Sequence, residues 1–105
     1  MTISVTGKQL SVGDALRSHA EAGLSGLAQK YFDHMIEAAA VFSREAHLYR
    51  ADLSVHVGHG ISFTAEAEAD DPYPAFDLAA ERLAKQLRRH KRKLRDHHRA
   101  EGSRT

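Results

Sequence analysis

Residues 48–69 read LYRADLSVHVGHGISFTAEAEA. In the first half Leu53, Val55 and Val57 fall on alternate positions. In the second half the alternation is complete, with Ile61, Phe63, Ala65, Ala67 and Ala69 on one side and Ser62, Thr64, Glu66 and Glu68 on the other. A period of two is what a strand with one buried face imposes, because successive Cβ atoms point to opposite sides of a sheet. Gly58-His59-Gly60 between the halves supplies glycines free to take positive φ, so the two strands are expected to return on each other as a hairpin. Such a pair implies an antiparallel sheet with one wet face. Glu66 and Glu68 lie on that face and make it a poor surface for RNA.

Working outward, residues 35–46 (MIEAAAVFSREA) carry a mixed signal. The alanines favour helix and Val41-Phe42 favour strand; the adjoining hairpin decides for strand. Residues 2–6 (TISVT) alternate around Ile3 and Val5 and read as a short strand. Ser11-Val12-Gly13-Asp14 has the capping-box form, with Ser11 as the cap. A helix is expected from about Gly13 to Phe32, with Leu16, Ala20, Leu24, Leu27 and Tyr31 as its apolar stripe. Gly23 and Gly26 interrupt it at about 1 kcal/mol each relative to alanine, and either could admit a close helix–helix approach.

On the other side of the hairpin, Asp71 suits an N-cap and Pro72 the first helical position. Pro74 falls in the first turn, where a missing N–H costs nothing. This second helix is expected to reach about His98, leaving Arg99–Thr105 as a disordered tail or the start of a linker. The fold class is therefore α+β in the order β-α-β-β-β-α. It is one domain, residues 1–98, whose four-stranded sheet carries two helices on one face. The opening β-α-β calls for a right-handed crossover and parallel pairing of the first two strands.

The chain has 105 residues, 28% of them charged, and no cysteine. Disulfides, zinc–thiolate sites and thiol nucleophiles are excluded, and a reducing cytoplasm is the natural setting. There is no apolar run of the roughly 18 residues a membrane span needs, and Met1-Thr2-Ile3-Ser4-Val5 lacks the basic-then-apolar pattern of a secretory signal. The net charge of +1 conceals a segregation. Residues 1–71 hold five Lys/Arg against ten Asp/Glu, a net of −5, and residues 72–105 hold ten against four, a net of +6.

The excess lies on the second helix. At about 100° per residue, Tyr73, Phe76, Ala80, Leu83, Leu87, His90 and Leu94 fall within about 60° of one line and should face the sheet. Arg82, Lys85, Arg88, Arg89, Arg92 and Lys93 fall opposite, with Lys91 and Arg95 on a flank. From Arg82 to Arg99 nine cations accompany the single acid Asp96. A merely solvated face mixes signs, and the helix dipole accounts for only the last cations. Pairs such as Arg88/Arg92 and Arg89/Lys93 repel, each at a few tenths of a kcal/mol. The pattern indicates a polyanion partner. The helix has no asparagine, and only Gln86 at a flanking angle, to read a base edge. Recognition by backbone and shape, as in a folded RNA, fits better than sequence reading.

Other chemistries are weakly supported. The eight histidines include His56 and His59 around the turn and the diverging pair His97-His98, none with convincing ligand spacing, and His90 reads as a core-edge residue. Glu66 and Glu68 have no adjacent base, and there is no Gly-rich phosphate loop. Tyr73 and Phe76 could stack on bases but read better as core. No catalytic residue, metal, cofactor or small-molecule substrate is expected.

These residues also resemble a known family. Val5-Thr6-Gly7-Lys8, Asp14-Ala15-Leu16-Arg17, Lys30-Tyr31-Phe32-Asp33, and above all Asp71-Pro72-Tyr73-Pro74-Ala75-Phe76-Asp77 with Arg82-Leu83-Ala84-Lys85-Gln86-Leu87-Arg88-Arg89-His90-Lys91 are similar to the bacterial ribosome hibernation-promoting factors, also called the ribosome-associated inhibitor or sigma-54 modulation family. The resemblance covers residues 2–98 and implies a fold similar to double-stranded RNA-binding domains. It implies a non-enzymatic, cytoplasmic protein of stationary phase and stress. Such a protein binds the small ribosomal subunit and its rRNA in the channel used by mRNA and tRNA, inhibits translation and protects idle ribosomes. It implies rRNA contacts by Arg82, Lys85, Arg89 and Lys93, by Arg17 on the first helix and by Lys8 after the first strand; charge adds Arg88, Lys91, Arg92 and Lys30. Lysines that the family often carries in the first helix fall at Gly23 and Gly26, which shifts weight to the second helix. The ending resembles the N-terminal domain of a long form cut at its linker, with homodimerisation expected only if a further domain follows Thr105. Two alternatives remain at this point: a generic double-stranded RNA-binding module, and a protein-interaction modulator of a transcription factor.

Overall fold

The computed structural model describes residues 2–31, 36–58 and 60–103, with side chains through Arg92. Its elements are β1 (Thr2–Gly7), α1 (Asp14–Tyr31), β2 (Glu37–Glu45), β3 (Leu48–His56), β4 (Ser62–Ala69) and α2 (Pro72–Ser103). The sheet order is β1-β2-β3-β4, with β1 parallel to β2 and the other pairs antiparallel. This is the expected α+β, β-α-β-β-β-α arrangement.

Alternation builds the sheet's inner face. Val5 on β1, Ala38, Ala40 and Phe42 on β2, Ala51, Leu53 and Val55 on β3, and Ala67 on β4 are all buried. Small residues on β2 let the helices sit close to the sheet, while Phe42 and Phe76, 6.3 Å apart between ring centres, fill the middle. The outer face is held by Arg50, which bonds Asp52, Glu66 and Glu68. The bond to Asp52 and the nearby carboxylates hold the Arg50 proton more tightly than usual. One cation thus ties β3 to β4 on the wet side.

Four local expectations are corrected. The α1 cap is Gly13, whose carbonyl accepts from the Arg17 N–H, two positions later than Ser11; a residue with no side chain serves because its backbone alone starts the helix. The α1 stripe also includes Ala28, which is buried, while Leu27 and Tyr31 only border the core. On α2 the buried line is Ala75, Phe76, Ala79, Leu83 and Leu87, and Tyr73 lies 37% exposed. At its start the helix turns Ala75 and Ala79 inward and leaves Tyr73 edge-on to the His19 ring of α1. The α2 start is as expected: the Tyr73 N–H donates to Asp71 Oδ1 at 2.9 Å. Its helical backbone runs to Ser103, past the expected end near His98, because Ala100 and Glu101 are good helix formers and no glycine intervenes before Gly102. Phe32, Met35 and His59, which the expected element ends and the His56/His59 pair involved, lie outside the described residues.

The two glycines of α1 differ. A Cβ on Gly23 would stand 2.6 Å from Phe76 Cε1, whereas one on Gly26 would meet nothing within 4 Å. Gly23 is therefore the point of close approach between the helices. In the hairpin turn Gly58 and Gly60 have φ of 80° and 73°, the left-handed region that glycine enters without steric cost. Among the described residues, no helix is long and apolar enough to cross a membrane.

Candidate nucleic-acid interface

α1 follows β1 and runs back along it, and α2 does the same with β4, so the two helices lie side by side and point the same way. Their register is fixed at both ends. Near the start, His19 Nε2 and Asp77 Oδ1 are 2.7 Å apart, and the His19 ring meets Tyr73 and Phe76 edge-on. Further along, Lys91 Nζ donates to the Lys30 carbonyl at 3.4 Å. That carbonyl belongs to the last turn of α1, where unpaired carbonyls and the helix dipole favour a cation.

This register assembles one part of the predicted set. Lys30 and Tyr31 from α1, with Arg88, Lys91 and Arg92 from α2, line a single open cleft. Lys30 also lies over the Tyr31 ring, 5.4 Å from its centre. Lys85, Arg88, Arg89 and Arg92 are exposed. Among the described residues the ion pairs are those of His19 and Arg50, so none of these four cations is neutralised by a carboxylate. They form a continuous ridge along the outward side of α2, with Lys30 and Lys91 at its α1 flank. Lys93 lies on the continuing helix; its side chain is outside the described residues.

Three predicted residues are not on this ridge. Arg17 donates to the Val5 carbonyl on β1 at 2.7 Å. Arg82 donates to the Glu66 carbonyl on β4 at 2.6 Å. Lys8 lies at the opposite end of the molecule from Lys30, since β1 ends where α1 begins. It borders a depression on the wet side of the sheet with Ser43, Arg44, Arg50 and Asp52. Sequence reasoning missed Gln86 as a structural group: its amide donates to the Thr64 carbonyl at 2.7 Å. Its flanking angle on the helical wheel was the available signal. His90 packs edge-on against Phe63, with ring centres 5.1 Å apart, at the core edge as expected. Among the described residues there is no group of three or more His, Asp or Glu placed to hold a metal.

The arrangement presents a polyanion with an array of exposed cations that no carboxylate among the described residues neutralises. Comparison with known proteins places the chain among relatives. The chain is 35% identical over 102 residues to a ribosome hibernation promotion factor of Rhizobium meliloti, covering 97% of this chain and 54% of that protein. It thus spans about half the length of that relative. It is 35% identical over 97 residues to the ribosome hibernation promoting factor of Escherichia coli, covering 92% of this chain and 100% of that one. Its fold matches the structure of a ribosomal subunit interface protein from Coxiella burnetii with a TM-score of 0.79 at 30% identity, covering 87% of this chain and 98% of that one. Residues 3–95, from the first strand to the basic helix, match one family over their whole span, and the chain belongs to it: the Sigma 54 modulation protein / S30EA ribosomal protein family.

Proposed function

We propose that this chain is the ribosome-binding domain of a hibernation factor. It docks on the small ribosomal subunit through phosphates of its rRNA, occupies the channel of mRNA and tRNA, and holds the ribosome idle in the cytoplasm of stressed or stationary cells. The observation that carries this reading is the ridge of unpaired cations Lys85, Arg88, Arg89 and Arg92, joined by Lys30 and Lys91 at the cleft. The names of the relatives, all taken from ribosome hibernation or the ribosomal subunit interface, support it. A row of cations on one helix face suits the regularly spaced phosphates of a folded RNA, so this reading gives backbone and shape the larger share of recognition.

The test is co-sedimentation with purified small subunits. The triple variant Lys85→Glu, Arg89→Glu, Arg92→Glu changes exposed positions only and should keep the fold, checked by circular dichroism. It is expected to stay in the supernatant while the unaltered chain pellets. For four phosphates neutralised, log K should fall against log salt with a slope of about −3 to −4. A variant that still pellets at moderate salt overturns the reading. Equal competition by a free RNA duplex would instead mark a generic duplex binder.

A further inference from the structure

The Val57 N–H donates to the Ile61 carbonyl at 3.0 Å. With the pairing of β3 and β4, this places the odd-numbered residues of β4 on the ladder to β3. The carbonyls of Thr64 and Glu66 therefore point out of the sheet along a free edge, and both are occupied by α2: Gln86 takes Thr64 and Arg82 takes Glu66. The spacing fits. Four residues of helix rise about 6 Å, and two residues of strand span about 6.7 Å, so donors at i and i+4 on an antiparallel helix meet carbonyls at j and j−2. Four helical residues also overshoot a full turn by about 40°, which limits the match to two rungs. One step earlier Leu78 has turned outward and is 42% exposed; one step later His90 has turned inward onto Phe63. The opposite edge is treated alike, with Arg17 of α1 on the outward carbonyl of Val5.

We infer that Arg82 and Gln86 form a two-rung clamp that covers the free edge of β4 and sets the rotation of α2 about its own axis. In this role Arg82 is a positioning residue that aims Lys85, Arg89 and Arg92 outward, and it does not itself contact phosphate. An unclamped edge strand would present unpaired carbonyls to another chain. The part concerning phosphate rests on the ribosome-binding reading; the clamp does not.

Two measurements test it. The first is amide hydrogen exchange at Phe63, Ala65 and Ala67 in the double variant Arg82→Met, Gln86→Met. The clamp predicts exchange at least tenfold faster than in the unaltered chain; unchanged exchange overturns it. The second is the salt dependence of small-subunit binding for Arg82→Gln, Arg82→Met and Lys85→Gln. Arg82→Gln keeps a donor for Glu66 and removes the charge. It is expected to keep both affinity and slope, while Arg82→Met loses affinity at unchanged slope and Lys85→Gln flattens the slope by about 0.7–0.9. If Arg82→Gln flattens the slope as Lys85→Gln does, Arg82 is a phosphate contact and its assignment falls. If the unaltered chain does not bind subunits at all, the ribosome reading falls, and the exchange experiment alone decides the clamp.

Discussion

Gly23→Ala and Gly26→Ala, two identical changes one turn apart on α1, are expected to move stability in opposite directions. At Gly23 the new Cβ would stand 2.6 Å and 2.8 Å from two atoms of the Phe76 ring, where carbon atoms settle at about 3.5–4.0 Å. The ring would have to recede by roughly an ångström. It has nowhere to go, because Phe76 is 2% exposed and packs on the wholly buried Phe42. Overpacking of this kind costs about 1–3 kcal/mol, and the gain in helix propensity returns about 1 kcal/mol. The net effect is a loss of up to about 2 kcal/mol, and each kcal/mol lowers the melting temperature of a domain this size by about 4–8 °C. At Gly26 the Cβ meets nothing within 4 Å, so only the propensity term acts and the variant gains about 0.5–1 kcal/mol. Urea unfolding followed by circular dichroism measures both, with the denaturant slope confirming that the same transition is compared. If the two variants agree within about 0.5 kcal/mol, a difference typical of uninvolved surface sites, the α1–α2 contact at Phe76 is wrong.

Three further outcomes are expected. Asp71→Ala removes the acceptor for the Tyr73 N–H and should cost about 1 kcal/mol in urea unfolding; a neutral result would mean that water or another group caps α2. Ala46 sits in the β2–β3 turn with φ of 54°, a conformation that costs a residue with a Cβ roughly 1–2 kcal/mol. Ala46→Gly should therefore raise thermal stability by about 0.5–1 kcal/mol after the entropy of glycine is counted, and a loss of stability would show that the turn is not left-handed there. Gly26→Lys places a cation in open space where the family resemblance puts one, and should steepen the salt slope of subunit binding by about 0.7–0.9; an unchanged slope would place the middle of α1 away from rRNA.

The hairpin, the α2 cap and the segregation of charge were all legible in the chain because each depends on neighbours in sequence. The Ile61–Ala69 alternation is a property of consecutive residues, and Asp71 reaches an N–H two positions on. The α1 cap was misread because Ser11 and Gly13 are both plausible starts locally, and the packing of the β1–α1 connection chooses between them. The α2 wheel put Arg82 among the outward cations because a wheel records angle and not what stands beside the helix. Its position 40° from Gln86 is outward for a short side chain and within reach of β4 for an arginine.

What the sequence by itself determined is periodicity and charge: which residues alternate, which recur every turn, and that the cations gather after residue 72. From these came the order of elements, most of the buried faces and the expectation of a polyanion partner. What only the tertiary structure decided is how each cation is used. Arg82 and Lys85 are one turn apart on one helix and look equivalent in the chain. One bonds a carbonyl 16 residues away in sequence and the other extends unpaired into solvent. Lys30 joins Arg88 and Arg92 only because α1 and α2 lie in a register set by Gly23 against Phe76 and by His19 against Asp77. The reason is physical. Backbone periodicity follows from dihedral preferences within a few residues, whereas the availability of a charged side chain depends on which groups the packed sheet brings within about 3 Å of it.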